Sequence, residues 1–247
     1  MTGRARRRAN RARAIFAGAA LLCAAAFVAL GIWQVERRAW KHALIAAVES
    51  RVHAAPVPAP GPATWPGISA DGDAYRHVRA TGRFRHDRET LVQAVTDLGS
   101  GYWVLTPLET PDFTLLVNRG FVPAERKDRA TRASGNPSGT VTVSGLLRVS
   151  EPGGAFLRSN DPANRRWYSR DVPAIAGAQA LGPTAPYFID ADGTANPGGF
   201  PVGGLTVLRF ADNHLQYALT WFALALLSLA AACYVLRSPA PHRPLPA

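Results

Sequence analysis

The chain has 247 residues, 47% of them hydrophobic, and a formal net charge of +11. That charge is misplaced for a nucleic-acid binder, which would gather its basic surface on the folded domain: residues 1–13 hold six arginines and no acid, the tail after Leu236 adds Arg237 and Arg243, and all 17 acids fall within 36–213. The two cysteines, Cys23 and Cys233, lie in apolar runs, which excludes a disulfide framework, a Cys-based zinc site or a thiol nucleophile in the region between them.

Residues 1–13 read as a basic tail. Ala14–Val35 follows, 22 residues without a charge. At about 1.5 Å per residue this run can cross a hydrocarbon core about 30 Å thick. It outlasts the apolar core of a cleaved signal peptide, so residues 14–35 are expected to be a retained transmembrane helix. Leu22 before Cys23 is too large for a lipidation site. Residues 36–213 form the outer domain. Within it, Trp40, Leu44, Ile45, Val48 and Val52 make a helical stripe, so 36–55 should be a helical extension. Five prolines in 56–67 then mark a linker. Residues 75–210 are mainly β: "YRHVRATGRF", "TLVQAV", "GYWVLTPLE", "TLLVNRGFV", "TVTVSGLLRV", "PYFID" and "LTVLRF" are short, β-branched or aromatic, and separated by turn residues. Among them only Val172–Leu181 reads as a helix, with Asp171 as its cap and Pro173 in its first turn. Leu215–Leu236, again 22 uncharged residues, is the core of a second transmembrane helix over 214–236, and 237–247 is a tail. Basic residues flanking both spans place both termini in the cytoplasm and the large domain outside, which in a bacterium is the periplasm. The expected fold is an integral membrane α+β protein: two transmembrane helices flanking a mainly antiparallel β outer domain with a few helices.

The outer domain carries no Gly-x-Ser-x-Gly, His-Glu-x-x-His or phosphate-loop motif. A membrane-anchored hydrolase would need a constellation that is missing. His77 and His86 read as surface or sheet-edge residues. Asp161, Asp171, Asp190 and Asp192 each stand beside a turn or cap signal, where aspartate serves the backbone. Gly18, Ala25 and Ala29 permit close packing of the first span.

His214 stands apart. It opens the second apolar run, and at helical spacing Tyr217, Ala218 and Trp221 share its face. A neutral imidazole there can ligate haem iron, with Arg209 near the propionates. The same residues also suit an aromatic interfacial belt. The residues alone leave both readings open.

Several blocks carry a family resemblance. They are "LGIWQVERRAWK", "YRHVRATGRF", "GYWVLTPLE", "LVNRGFVP", "GLLRVSEPGGAFLRSNDPANRRWYSRDVPAIA", "PYFIDADGTANPGGFPVGGLTVLRF" and "NHLQYALTWFALA". In this order, between two spans, the chain resembles the Surfeit locus protein family of cytochrome c oxidase assembly factors. The family's tryptophan after "NRG" is Phe121 here, and Asp212 stands where the family often has asparagine. The resemblance implies a bacterial inner-membrane assembly factor rather than an enzyme. It would bind haem a through His214 and serve the catalytic subunit of a haem-copper oxidase. Tyr217, Trp221 and Arg209 would be accessory, and haem a synthase is a further candidate partner. The alternative is a cofactor-free scaffold for the nascent subunit, using exposed "NRGFVP" and "SNDPANRRWYSR" segments.

Overall fold

Nothing before Pro56 is a strong helix breaker, since Gly18 and Gly31 cost far less than a proline. The computed structural model describes residues 3–155, 157–208 and 212–238. It begins with one 50-residue helix, α1 (Gly3–Val52), which covers both the apolar run and the amphipathic stretch after it. The next elements are β1 (Val57–Pro58), α2 (Ala70–Asp73), β2 (His77–Phe84), β3 (Thr90–Thr96), β4 (Gly99–Glu109) and β5 (Thr114–Pro123). Then come β6 (Thr140–Val149), a small hairpin of β7 (Gly154–Ala155) and β8 (Arg158–Ser159), α3 (Val172–Ala178), β9 (Thr184–Ala191) and α4 (His214–Arg237). Both α1 and α4 are long and apolar enough to cross a membrane. The chain divides into two compact units, residues 1–46 with 209–247, and residues 47–208.

The first unit is an antiparallel helix hairpin. Arg13 meets Val235, Phe27 stacks on Trp221, and Gln34 reaches His214. Its seam is a run of small residues seven apart. Ala17, Ala24 and Gly31 are buried on α1, and Ala218, Ala225 and Ala232 on α4. Small residues let two backbones approach closely where lipid offers no hydrophobic force between helices. Gly18, Ala25 and Ala29, the small residues noted in the sequence, are exposed and lie outside this seam. Gly31 is the tightest point, because a Cβ there would lie 2.6 Å from the Phe222 ring. At the other end Arg13 donates to the carbonyls of Val235, at 3.1 and 2.5 Å, and of Ser238. It thereby satisfies backbone acceptors that the last turn of α4 leaves without partners.

The second unit is a β-barrel. Its sheet runs β1-β2-β6-β9-β5-β4-β3, and β2 also pairs with β4 through Arg83↔Glu109 and Phe84↔Leu108. Strands β2, β6, β9, β5 and β4 therefore close a five-stranded ring, the architecture of small OB-type barrels. Most pairs are antiparallel, as the sequence suggests, but β5–β9 and β1–β2 are parallel. Alternation fills both faces of the wall. Leu115, Val117, Tyr187 and Ile189 belong to one cluster with Val78, Leu108 and Leu147. Leu116 and Phe188, between them in sequence, join the other cluster with Trp167, Val172 and Ile175 under α3. Gly120 interrupts β5 with φ of +126°, and a Cβ there would lie 2.1 Å from the Val202 carbonyl. That absence of a side chain lets Phe121 and Val202 exchange backbone hydrogen bonds of 2.9 Å. The described part of "LTVLRF", Leu205–Leu208, forms no strand. The helix expected over Val172–Leu181 stops at Ala178.

On the outer face of the wall sits a buried ionic node. Asp190, 5% exposed, accepts from Asn118 at 2.8 Å, Arg148 at 2.9 Å, Arg170 at 3.1 Å and the Thr206 hydroxyl at 3.1 Å. Glu151 adds a second carboxylate to both arginines. Burial pushes the Arg170 guanidinium down, but Asp190 and Glu151 outweigh it, so its pKa is raised. Asp190 is thus not the turn residue that "IDADG" suggests. It joins β5, β6, β9 and the segment after the barrel. Removing one member of a buried ion pair strands the other, at about 3–5 kcal/mol. Asp190→Ala is therefore expected to lower the stability of the barrel by about that amount in urea unfolding of the full chain in detergent. A loss within about 1 kcal/mol, the range of an exposed pair, would show that the node contributes little.

Candidate functional site

The first turn of α4 has no side-chain cap from Asn213. The residue before it supplies one instead: Asp212 Oδ1 accepts the His214 amide at 3.1 Å. The other oxygen, Oδ2, binds His42 Nε2 at 2.7 Å and lies 3.7 Å from Arg38 Nε. The His42 hydrogen bond, then the His214 amide, hold the Asp212 carboxyl below the usual carboxylate range. Asp212 is therefore paired, which answers what a carboxylate in this position does.

The α1 side of the site is a polar line. Gln34, Arg38 and His42 recur every fourth residue, so they stand one above the other on one helix face. Gln34 is 9% exposed, and its Oε1 lies 2.7 Å from His214 Nδ1. An amide oxygen only accepts. With Oε1 facing it, Nδ1 is the donor to Gln34, and in a neutral imidazole that leaves the lone pair on Nε2. Among the described residues Nε2 has no hydrogen-bond partner. Arg38 Nε is buried and likewise has none, although Asp212 is near.

The expected accessory residues fare differently. Trp221 stacks on Phe27 of α1, with centroids 5.6 Å apart and an interplanar angle of 22°. Its ring therefore closes the hairpin about two turns below His214. Tyr217 is 54% exposed. Arg209 lies outside the described residues. Gln34, Arg38 and His42 were not singled out from the sequence. Their signal was there: polar side chains at a spacing of four, starting before the apolar run ends.

Comparison with known proteins places the chain in a family. The model of the SURF1 family matches residues 21–226. Surfeit locus protein 1 of Rattus norvegicus is 39% identical over 212 residues, covering 79% of this chain and 67% of its own length. The Homo sapiens protein of the same name is 37% identical, covering 79% and 69%. A SURF1-like protein of Monosiga brevicollis is 35% identical, covering 87% and 88%. The chain belongs to the SURF1 family.

This SURF1-family chain scatters the other chemically interesting residues. Among the described residues no group of three or more His, Cys, Asp or Glu is placed to hold a metal ion. Asp171 caps α3 through the Ala174 amide, Asp161 holds Asn164, Asp190 sits in the ionic node, and Asp192 binds His77. His86 is pushed down by burial. It lies 3.5 Å from Arg119, a buried arginine that donates to Asn136 and Asn196 and stands over the Phe84 ring. Burial pushes the Arg119 guanidinium down to about 10.

His77 is more than a surface residue. Its Nδ1 donates to the Ala54 carbonyl at 2.9 Å and its Nε2 to Asp192 at 3.0 Å. Both bonds can be donated together only by the imidazolium. Burial opposes the charge, but Asp192 and the Ala54 carbonyl outweigh it, and the pKa rises above 6.5. The stabilisation is then fully present below pH 6.5, the ordinary value, and is lost as pH rises through the raised one. Urea midpoints of the wild type and of His77→Gln should differ at pH 5.5 and converge toward pH 8.5. A difference independent of pH would contradict the charged form.

Proposed function

We propose that this chain is an assembly factor for a haem-copper cytochrome c oxidase, and that it holds haem a through His214. The observation that carries the reading is the His214–Gln34 hydrogen bond. It gives Nδ1 the outer partner that ligating histidines use, so that the neutral ring would present Nε2 to iron. Membership of the SURF1 family supports the oxidase part. Haem a would supply the redox and oxygen-binding centre of the oxidase; here it is cargo. The protein residues orient the ligand, keep its proton on Nδ1 and receive the carboxylates. With Arg209 undescribed, Arg38, on the same face of α1 as Gln34 and with its side chain 41% exposed, is the cation that suits a propionate.

The partner implied is the catalytic subunit of the oxidase, with haem a synthase upstream, and the chain itself performs no catalysis. The two apolar helices support attachment to a membrane. Basic tails support a topology with both termini in the cytoplasm and the barrel outside. The bacterial inner membrane is part of the same reading; the relatives described above are eukaryotic.

One observation favours a second reading. Trp221 is occupied by Phe27, so the aromatic face is partly a packing surface. A cofactor-free scaffold for the nascent subunit would look the same there. Co-expression with a haem a synthesis pathway separates the two. Purified wild type should show a haem a spectrum, His214→Ala should lose it, and Gln34→Leu should retain about 10–100-fold less haem. Equal haem in wild type and His214→Ala would sink the ligand assignment. A colourless wild type that still restores oxidase assembly in a deletion strain would establish the scaffold.

A further inference from the structure

β3 is an edge strand whose edge is only half covered. The Gln93 amide donates to the Trp167 carbonyl at 2.8 Å, and Val92 forms a bridge with Trp167. In an antiparallel pair the outward-facing amides and carbonyls belong to alternate residues. With the Gln93 amide pointing away from β4, the Gln93 carbonyl and both backbone groups of Val95 point the same way. Among the described residues these three groups have no hydrogen-bond partner. An open edge of this kind is a template for a further strand.

The space beside it is shaped. A groove of 610 Å³ runs between β3 and the β7–β8 hairpin, with Gln93, Val95, Tyr102, Ala155, Arg158 and Tyr168 on its walls. Arg158 braces it by donating to the Gln93 side chain at 3.0 Å. A second cavity of 250 Å³ shares Gln93, Tyr102 and Tyr168 with it and adds Lys127, Arg165 and Arg166. The two together carry four cations and no carboxylate on their walls. Lys127 lies 5.1 Å over the Tyr102 ring and Arg158 5.5 Å over Tyr168. The nearby acid of the loop, Asp161, already accepts from the Asn164 side chain, and its backbone pairs with that of Arg166. Val95, on the groove wall, is 84% exposed, an apolar side chain standing in water.

The loop that covers the first half of β3 is itself fixed. Asn160 accepts from the amides of Tyr168 and Ser169 and donates to the Ser169 hydroxyl. Trp167, buried in the core, then stops the pairing at Gln93. The open half of the edge is therefore a pre-formed slot with a defined end.

We propose that this slot is a docking site for an extended, acidic peptide segment of a partner protein, which adds a strand to β3 beyond Gln93 and sets its carboxylates against Arg158, Lys127, Arg165 and Arg166. Backbone pairing supplies the attraction and the cations supply the choice of partner. The site lies wholly in the barrel and its test is independent of haem. The full chain in detergent is titrated against a fluorescein-labelled octapeptide of alternating glutamate and threonine, read by anisotropy. The same peptide with lysine for glutamate, and the acidic peptide N-methylated at alternate residues, serve as controls. The acidic peptide should bind, both controls should bind at least about tenfold more weakly, and Arg158→Glu with Lys127→Glu should weaken the acidic peptide by a similar factor. N-methylation leaves the protein untouched, so that arm holds even where a variant misfolds. Equal binding of the N-methylated or the lysine peptide, or none of the acidic one, overturns the proposal. Self-association that Val95→Pro abolishes would assign the edge to a second copy of this chain instead.

Discussion

The hairpin of α1 and α4 rests on a seam of small buried residues on both helices. Ala17, Ala24 and Gly31 on α1 and Ala218, Ala225 and Ala232 on α4 are buried at heptad spacing, with Phe222 against Gly31 and Phe27 stacked on Trp221. In lipid such contact is made by van der Waals packing, because apolar side chains gain nothing by leaving one apolar medium for another. The consequence at the mouth is specific. The amide of Gln34 reaches the imidazole of His214 directly, at 2.7 Å. The Asp212 cluster then fills the remaining polar demand at the α4 start with His42, Arg38 and the His214 amide.

The barrel solves a different problem. Its wall has apolar residues on both faces, as the continuous burial of β5 shows, and polar groups inside such a wall must be paired. Asp190 and Arg119 meet that requirement in opposite ways. Asp190 gathers two arginines, an amide and a hydroxyl. Arg119 is satisfied by neutral oxygens of Gly135, Asn136 and Asn196, and burial lowers its pKa accordingly. Both nodes tie irregular segments to strands, so they hold loops that the strand ladder alone would leave loose.

Much of this was legible in the residues. Uncharged runs of 22 residues announce long helices, and alternation with turn residues announces strands, because both periods are local. The two parallel pairs and the barrel closure were not legible, since partner choice between distant strands leaves no mark in a single strand. The seam was not legible either: alanine-rich runs offer several small-residue stripes, and only the partner helix selects one. Asp190 was misread because "IDADG" looks like a turn whether or not its first aspartate is buried. His214 was found from its place at the end of an apolar run. Gln34 was missed because one polar residue in such a run carries no sign of its partner, and the line it forms with Arg38 and His42 becomes meaningful only when α4 lies beside it.

The central claim is that Gln34 holds His214 with its proton on Nδ1 and its lone pair on Nε2. The most direct measurement is nitrogen NMR of the haem-free full chain in detergent, labelled with ¹⁵N at histidine and assigned with His214→Gln. The account predicts a protonated Nδ1 and an unprotonated Nε2 in His214, with that preference lost in Gln34→Leu. A His214 that carries its proton on Nε2, or whose tautomer is unchanged in Gln34→Leu, would contradict it.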